Sequence, residues 1–170
     1  MNASFEPLHL VNTYGAFGSI TRPRYEVIVE GTDDATLTPD TRWREYEFIG
    51  KPGDVNRTPP QIAPYHLRLD WLMWFAAFSS AGEHPWFISF LGKLLENDKA
   101  VLKLLRYNPF RGRAPKFVRA LLYEYHFTTP EERRKSGAIW KRSLVGLYFP
   151  AVSLDNADFR GMLEAISGNQ

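Results

Sequence analysis

The residues best placed to do chemistry are His66 and Asp70. They lie four positions apart, so a helix containing both would present them on one face, where the carboxylate could orient the imidazole as a general base. The chain has no cysteine and no Gly-x-Ser-x-Gly sequence, so no nucleophile accompanies the pair and acyl transfer is poorly supported. We favour the competing interpretation, in which Asp70 and Arg68 cap the helix or form ion pairs beside an apolar segment.

The remaining polar residues indicate neither a metal site nor a phosphate site. The histidines lie far apart and show no metal-binding spacing; they are His9, His66, His84 and His126. The glycine-rich sequence at 15–19 lacks the lysine of a P-loop, and a tight turn explains its glycines. We therefore predict no catalytic residue, no metal and no cofactor.

Aromatic residues are abundant, with 5 Trp, 8 Tyr and 12 Phe making up 15% of the 170 residues. The charges nearly balance at a net +2, and acidic residues are interspersed among aromatic–basic pairs such as Trp43-Arg44. We therefore predict neither nucleic acid nor an anionic membrane as a partner. Two explanations remain for the rings. They fill the core, or some of them line a surface for a protein partner, where Trp and Tyr dominate the binding energy.

The hydrophobic pattern predicts strands, then helices, then strands again. Alternation of apolar and polar residues predicts strands near 24–30, 43–49, 117–127 and 142–149. Helices are predicted from about 66, from His84-Pro85 to Leu95, over 98–107 with Asn97 as N-cap, and over 155–166. Residues 129–137 are predicted to be a charged turn. The first helix should be buried on most of its surface, through a stripe of Leu67, Trp71, Trp74, Phe75 and Phe78.

These elements predict one α+β domain over residues 1–170. Its antiparallel β-sheet or β-sandwich would carry a helical insert at about residues 66–108 and a short C-terminal helix. The length suits a single core. The longest run without charge in the apolar middle, residues 71–82, is shorter than the roughly 20 residues that a helical membrane span needs. Residues 1–7 show no signal-peptide pattern.

Several sequence strings are more specific than these periodic patterns. They include LVNTYGAFG at 10–18, KPGD at 51–54, PYHLRLDWLMWFAAF at 64–78, GKLL at 92–95, NPF at 108–110 and YFP at 148–150. In this order, and over most of the chain from about residue 10 to 154, they closely resemble the lipase maturation factor family.

The resemblance implies the C-terminal, client-facing domain of a multi-pass membrane protein. Animal members of that family reside in the endoplasmic reticulum and help certain homodimeric lipases to become active. The resemblance thus implies a client protein such as a lipase as partner, and a membrane only through a part of the parent that this chain lacks. The absence of cysteine suggests a bacterial relative, whose domain would lie in the periplasm or cell envelope.

Three hypotheses follow. The first is a non-enzymatic folding or assembly domain whose client contacts include Tyr14, Phe17, Arg68, Asp70 and Trp71. The second is an envelope hydrolase, which requires that His66 and Asp70 line an open pocket. The third is a lipid- or carbohydrate-binding β-sandwich, which requires exposed, coplanar aromatic rings along one face of a sheet.

Overall fold

A computed structural model describes residues 23–61 and 67–168 of the chain. Four strands form an antiparallel sheet: β1 Arg24–Thr32, β2 Arg44–Glu45, β5 Phe117–Phe127 and β6 Trp140–Val152. Their order across the sheet is β2-β1-β5-β6. A second, two-stranded sheet pairs β3, Glu47–Phe48, with β4, Leu105–Tyr107. The predicted α+β class is confirmed, with an antiparallel sheet rather than a sandwich.

The helices lie between β3 and β4 and after β5 and β6. They are α1 Arg68–Ala76, α2 Pro85–Leu95, α3 Lys99–Leu102, α4 Pro130–Ser136 and α5 Ala157–Ser167, with a short 3₁₀ turn at Ala81–Glu83. The helical insert and the C-terminal helix are therefore both present, as predicted.

Strand β1 is the centre of the fold. It pairs along its whole length with β5, with Val27 opposite Leu122 and Val29 opposite Ala120. The residues of β1 from 26 to 32 are buried, on both faces of the sheet. Because β1 is covered on both sides, the carboxylate of Glu30 is buried, and it forms an ion pair with Arg119 at 2.8 Å.

Helix α2 is the most deeply buried helix of the described chain. Pro85 occupies its first turn, where the missing backbone N–H removes no helical hydrogen bond, as the sequence predicts. Phe87, Leu91 and Leu94 are fully buried in the main core. The side chain of Leu163 on α5 closely approaches Gly92, where an added Cβ would lie 2.9 Å from a Leu163 methyl carbon. Glycine at 92 therefore lets α5 pack directly on α2.

The predicted helix over 98–107 is wrong in its second half. Asp98, not Asn97, is the N-cap, and it accepts hydrogen bonds from the backbone N–H groups of Ala100 and Val101. The helix ends at Leu102, and the chain continues as β4, where Leu105 is buried opposite Phe48. The cross-strand pairing thus overrides the helical pattern.

Two further boundaries differ from the prediction. Residues 130–136 form a helix rather than a charged turn, because Thr129 and Glu132 make a capping box and Gly137 ends the helix at a positive φ. Strand β6 continues past Pro150 to Val152. It is an edge strand, and Pro150 lies in the register irregularity between the pairs Ala120–Phe149 and Val118–Val152, where a missing N–H is tolerated.

Candidate functional site

Helix α1 and the residues that follow it present four aromatic side chains on one side of the helix. We call Trp71, Trp74, Phe75 and Phe78 the aromatic face. Trp71, Phe75 and Phe78 are 36%, 40% and 54% exposed, and Trp74 is half-buried. Their spacing of three and four residues places them together along the helix.

The prediction that this stripe faces the core is wrong. The buried residues of α1 are Asp70, Met73 and Ala76, on the opposite side of the helix. These side chains are small or flexible and allow the helix to approach the core closely, whereas four large aromatic rings would hold it away. Because α1 is apolar almost all round, its periodicity does not distinguish the two sides. The fit to the core decides the orientation.

The rings of the aromatic face contact one another. The centroids of Trp71 and Trp74 are 5.1 Å apart, and those of Trp74 and Phe78 are 5.3 Å apart in an edge-to-face arrangement. Phe75 lies 5.2 Å from both tryptophans. Each such pair contributes about 0.5–1.5 kcal/mol beyond the burial of its surface. The rings therefore limit each other's motion.

The first turn of α1 is fixed to the preceding loop by Asp70. Its carboxylate accepts a hydrogen bond from the backbone N–H of Gly50, and its position in the first turn suits the positive end of the helix dipole. Burial raises the pKa of Asp70, while the Gly50 hydrogen bond and the nearby charge of Lys51 oppose that rise. Asp70 therefore joins the loop to the helix inside the protein.

Lys51 continues this connection into the sheet. Its ammonium group forms an ion pair with Glu26 on β1, and both side chains are buried. Glu26 also accepts a hydrogen bond from Arg24 at 2.7 Å. Burial lowers the pKa of Lys51, and the carboxylate of Glu26 opposes that change. The loop after β3 is thus attached both to α1 and to the central strand.

The other end of α1 is attached to the edge strand. The Tyr148 hydroxyl on β6 donates a hydrogen bond of 2.8 Å to the carbonyl oxygen of Ala76, and burial raises the pKa of Tyr148 to about 12. The aromatic face is therefore carried on a helix that is held at both ends, which suits a rigid binding surface.

The structure separates the residues predicted to bind a client. Arg68 and Trp71 are exposed at the start of α1, whereas Asp70 is 4% exposed and is not accessible to a partner. Tyr14 and Phe17 lie outside the described residues, as does His66. Phe75 and Phe78 are exposed, although the apolar stripe predicts them in the core. The small residues Ala76 and Ala77 beside them mark the close-packed side and are the signal in the sequence for this orientation.

The geometry does not favour the two alternative hypotheses. Asp70 is 4% exposed and its carboxylate accepts a hydrogen bond from the Gly50 N–H, whereas the hydrolase hypothesis requires this carboxylate to line an open pocket. Within residues 23–61 and 67–168, no group of three His, Cys, Asp or Glu side chains is placed to hold a metal ion. The exposed strand aromatics Tyr107 and Phe127 belong to different sheets, and Phe127 stacks on Trp140 at 4.0 Å. They do not form the row of coplanar rings that the carbohydrate-binding hypothesis requires.

Taken together, the fold and the site define an α+β domain that presents a fixed aromatic helix at its surface. The model of the lipase maturation factor C-terminal domain matches residues 10–150. The chain belongs to this family, as the sequence strings predict.

Named relatives support the assignment. The chain is 53% identical over 164 residues to bovine lipase maturation factor 1, a match that covers 95% of this chain and 29% of the relative. It is 51% identical over 158 residues to human lipase maturation factor 1, covering 91% of this chain and 28% of the relative. With rat lipase maturation factor 2 it shares 38% identity over 168 residues, covering 95% of this chain and 23% of the relative.

The chain spans less than a third of the length of these relatives. No solved structure matches it significantly. None of the helices in the described parts of the chain has the length and apolarity that a membrane crossing requires.

Proposed function

We propose that this chain is a single non-enzymatic domain that binds client proteins within a lipase maturation factor. The client is a lipase that matures as a homodimer, and the domain acts in the lumen of the endoplasmic reticulum or, in a bacterial parent, in the cell envelope. The proposal draws on the relatives, whose names describe the maturation of lipases.

The observation that carries the proposal is the exposure of the aromatic face. Large aromatic side chains supply most of the binding energy at protein interfaces, because they bury much area at a small cost in conformational entropy. Trp71 and Phe75 on α1 and Phe78 just after it are exposed together, and the helix is attached at both ends. Such a face suits an apolar segment that a partly folded lipase has not yet buried.

The predicted contacts have different roles in this proposal. Trp71 and Arg68 contact the client directly, Arg68 as a charged residue at the edge of the aromatic face. Asp70 acts as a positioning residue, because its hydrogen bond to Gly50 holds the first turn of α1. Tyr14 and Phe17 remain proposed contacts on the strength of the family resemblance.

The experiment is co-expression of a client lipase with the full-length parent protein. The test variant is F75S/F78S, and the matched control is L144S/L147S, which removes two exposed apolar side chains from β6 instead. We expect the test variant to lower the active lipase per molecule synthesised by at least fivefold, and the control to change it by less than twofold. Full lipase activity with the test variant at normal expression would refute the aromatic face as the client site.

A further inference from the structure

A cavity of about 260 Å³ lies between the loop after β1 and the loop after β4. Three arginines and one aspartate line it, together with two aromatic rings: Asp33, Arg44, Tyr107, Phe110, Arg111 and Arg113. We call it the arginine cavity. The proposed function makes no use of it.

The base of the cavity is well ordered by contacts within the protein. Phe110 is buried, and its backbone N–H donates to the Asn108 side chain at 2.9 Å. The Arg44 guanidinium lies over the Phe110 ring at 4.1 Å and donates to the Pro109 carbonyl oxygen at 3.2 Å. Arg44 is therefore fixed in place by stacking and by hydrogen bonding.

The loop that carries the other two arginines turns sharply between them. Gly112 has a φ of 77°, a left-handed conformation that glycine adopts without steric cost. The backbone N–H of Arg113 donates to the carbonyl oxygen of Phe110 and closes the turn at 3.3 Å. This turn lets Arg111 and Arg113 line the same cavity.

The charges in the cavity do not balance. Arg44 forms an ion pair with Asp33 at 2.6 Å, and the pKa of Asp33 is lowered mainly by the hydrogen bond from Arg44. Arg111 and Arg113 are exposed, and neither forms an ion pair with any described residue. Three guanidinium groups thus face a single carboxylate.

The surrounding sequence is also basic. Residues 99–120 contain seven lysines and arginines and no aspartate or glutamate. In the structure, two of the seven are neutralised: Arg106 pairs with Glu47 and Arg119 with Glu30. The positive potential of this segment would attract an anionic partner to the cavity.

We propose that the arginine cavity binds carboxylate side chains of an acidic peptide segment in the client protein. Guanidinium groups match carboxylates through paired, parallel hydrogen bonds, and Arg111 and Arg113 have these donors available. Asp33 already occupies part of the cavity, so a singly charged carboxylate is accepted with less repulsion than a doubly charged phosphate. The inference rests on the proposed function, and adds charge recognition to the apolar contact at the aromatic face.

The test measures peptide binding by the full 170-residue chain in the absence of any lipase. A fluorescein-labelled hexaglutamate peptide is titrated with the protein at 50 mM salt, and binding is followed by fluorescence anisotropy. A hexaglutamine peptide controls for the label and the backbone. The test variant is R111Q/R113Q, and the matched control is R134Q/K135Q, which removes the same charge from the exposed residues of α4.

We expect hexaglutamate to bind, hexaglutamine not to bind, and R111Q/R113Q to weaken binding at least tenfold while R134Q/K135Q changes it less than twofold. Equal weakening in the two variants, or no binding of hexaglutamate, would overturn the proposal. Displacement of hexaglutamate by inorganic phosphate or a sulfated disaccharide at lower concentration than by unlabelled hexaglutamate would also overturn it. Because no lipase is present, each of these results leaves the co-expression test of the aromatic face unaffected.

Discussion

The orientation of helix α1 predicts unequal effects for two truncations on its opposite sides. Met73 is fully buried and Phe78 is 54% exposed. We compare Met73→Ala with Phe78→Ala. If the aromatic face lies at the surface, truncation of Phe78 should destabilise the protein less than truncation of Met73, although the phenylalanine side chain is the larger of the two.

The magnitudes follow from burial. Truncation of a fully buried methionine to alanine costs about 2–5 kcal/mol, because it removes apolar contacts and leaves a cavity. Full burial of a phenylalanine is worth about 1.5–3 kcal/mol, so a ring that stays about half exposed contributes roughly 1 kcal/mol. Its contact with Trp74 adds to this, but the lost surface opens to solvent and leaves no cavity. We therefore expect Met73→Ala to cost about 2 kcal/mol more than Phe78→Ala.

Equilibrium urea denaturation followed by far-ultraviolet circular dichroism measures both free energies of unfolding. Circular dichroism is preferable to tryptophan fluorescence, because Phe78 contacts Trp74 directly. The slope of the free energy of unfolding against urea concentration should be the same in both variants, so that a difference between their unfolding midpoints reports a difference in stability alone. If Phe78→Ala destabilises the protein as much as Met73→Ala, the aromatic face is buried in solution and the argument for a binding surface fails.

Three further predictions concern buried polar groups. Glu26→Gln leaves Lys51 buried without its ion-pair partner and should lower the free energy of unfolding by about 3–5 kcal/mol in urea denaturation. The double variant E26M/K51M should recover most of that loss. If it recovers none, the argument that the unpaired charge causes the loss is refuted. Asp70→Ala should lower the free energy of unfolding by about 1–3 kcal/mol more than Asp70→Asn, because the amide oxygen of asparagine can still accept the hydrogen bond from the Gly50 N–H. Equal losses in the two variants would contradict a stabilising role for this hydrogen bond. Burial raises the pKa of Tyr125 from 10.0 to about 12, so its neutral hydroxyl contributes stability that is present below pH 10 and lost as the pH rises toward 12. Between pH 10 and pH 12, the free energy of unfolding of the wild type should fall by about 1.4 kcal/mol per pH unit more than that of Tyr125→Phe. If the free energy of unfolding falls equally in the two proteins from pH 8 to pH 11, Tyr125 makes no such contribution.

Much of the fold is predictable because several segments carry patterns that fit one structure. The alternation at 117–127 predicts the bounds of β5, and Pro85 predicts the start of α2. The error at 98–107 has a tertiary cause, since the pairing of Leu105 with Phe48 is a contact between distant parts of the chain. The helix at 130–136 was missed although the capping residues Thr129 and Glu132 are visible in the sequence.

The candidate site was predicted only in part. The sequence strings point to the start of α1, and Trp71 and Arg68 lie exposed there. The role of Asp70 depends on its hydrogen bond with the backbone N–H of Gly50, which lies twenty positions earlier, so no local sequence pattern predicts it. The arginine cavity was also missed, because it forms only when the loop after β1 meets the loop after β4.

The α+β class and the membership in the lipase maturation factor family can both be read from the sequence. Local periodicity, the capping and proline positions and a long ordered series of matching strings are all properties of the linear chain. The side of α1 that contacts the core, in contrast, depends on packing between distant parts of the chain. A helix that is apolar all round has no preferred direction of burial, so its orientation depends on which side chains fit the core closely. The side of the helix with Met73 and Ala76 packs on the core, and the larger rings of Trp71, Phe75 and Phe78 remain at the surface.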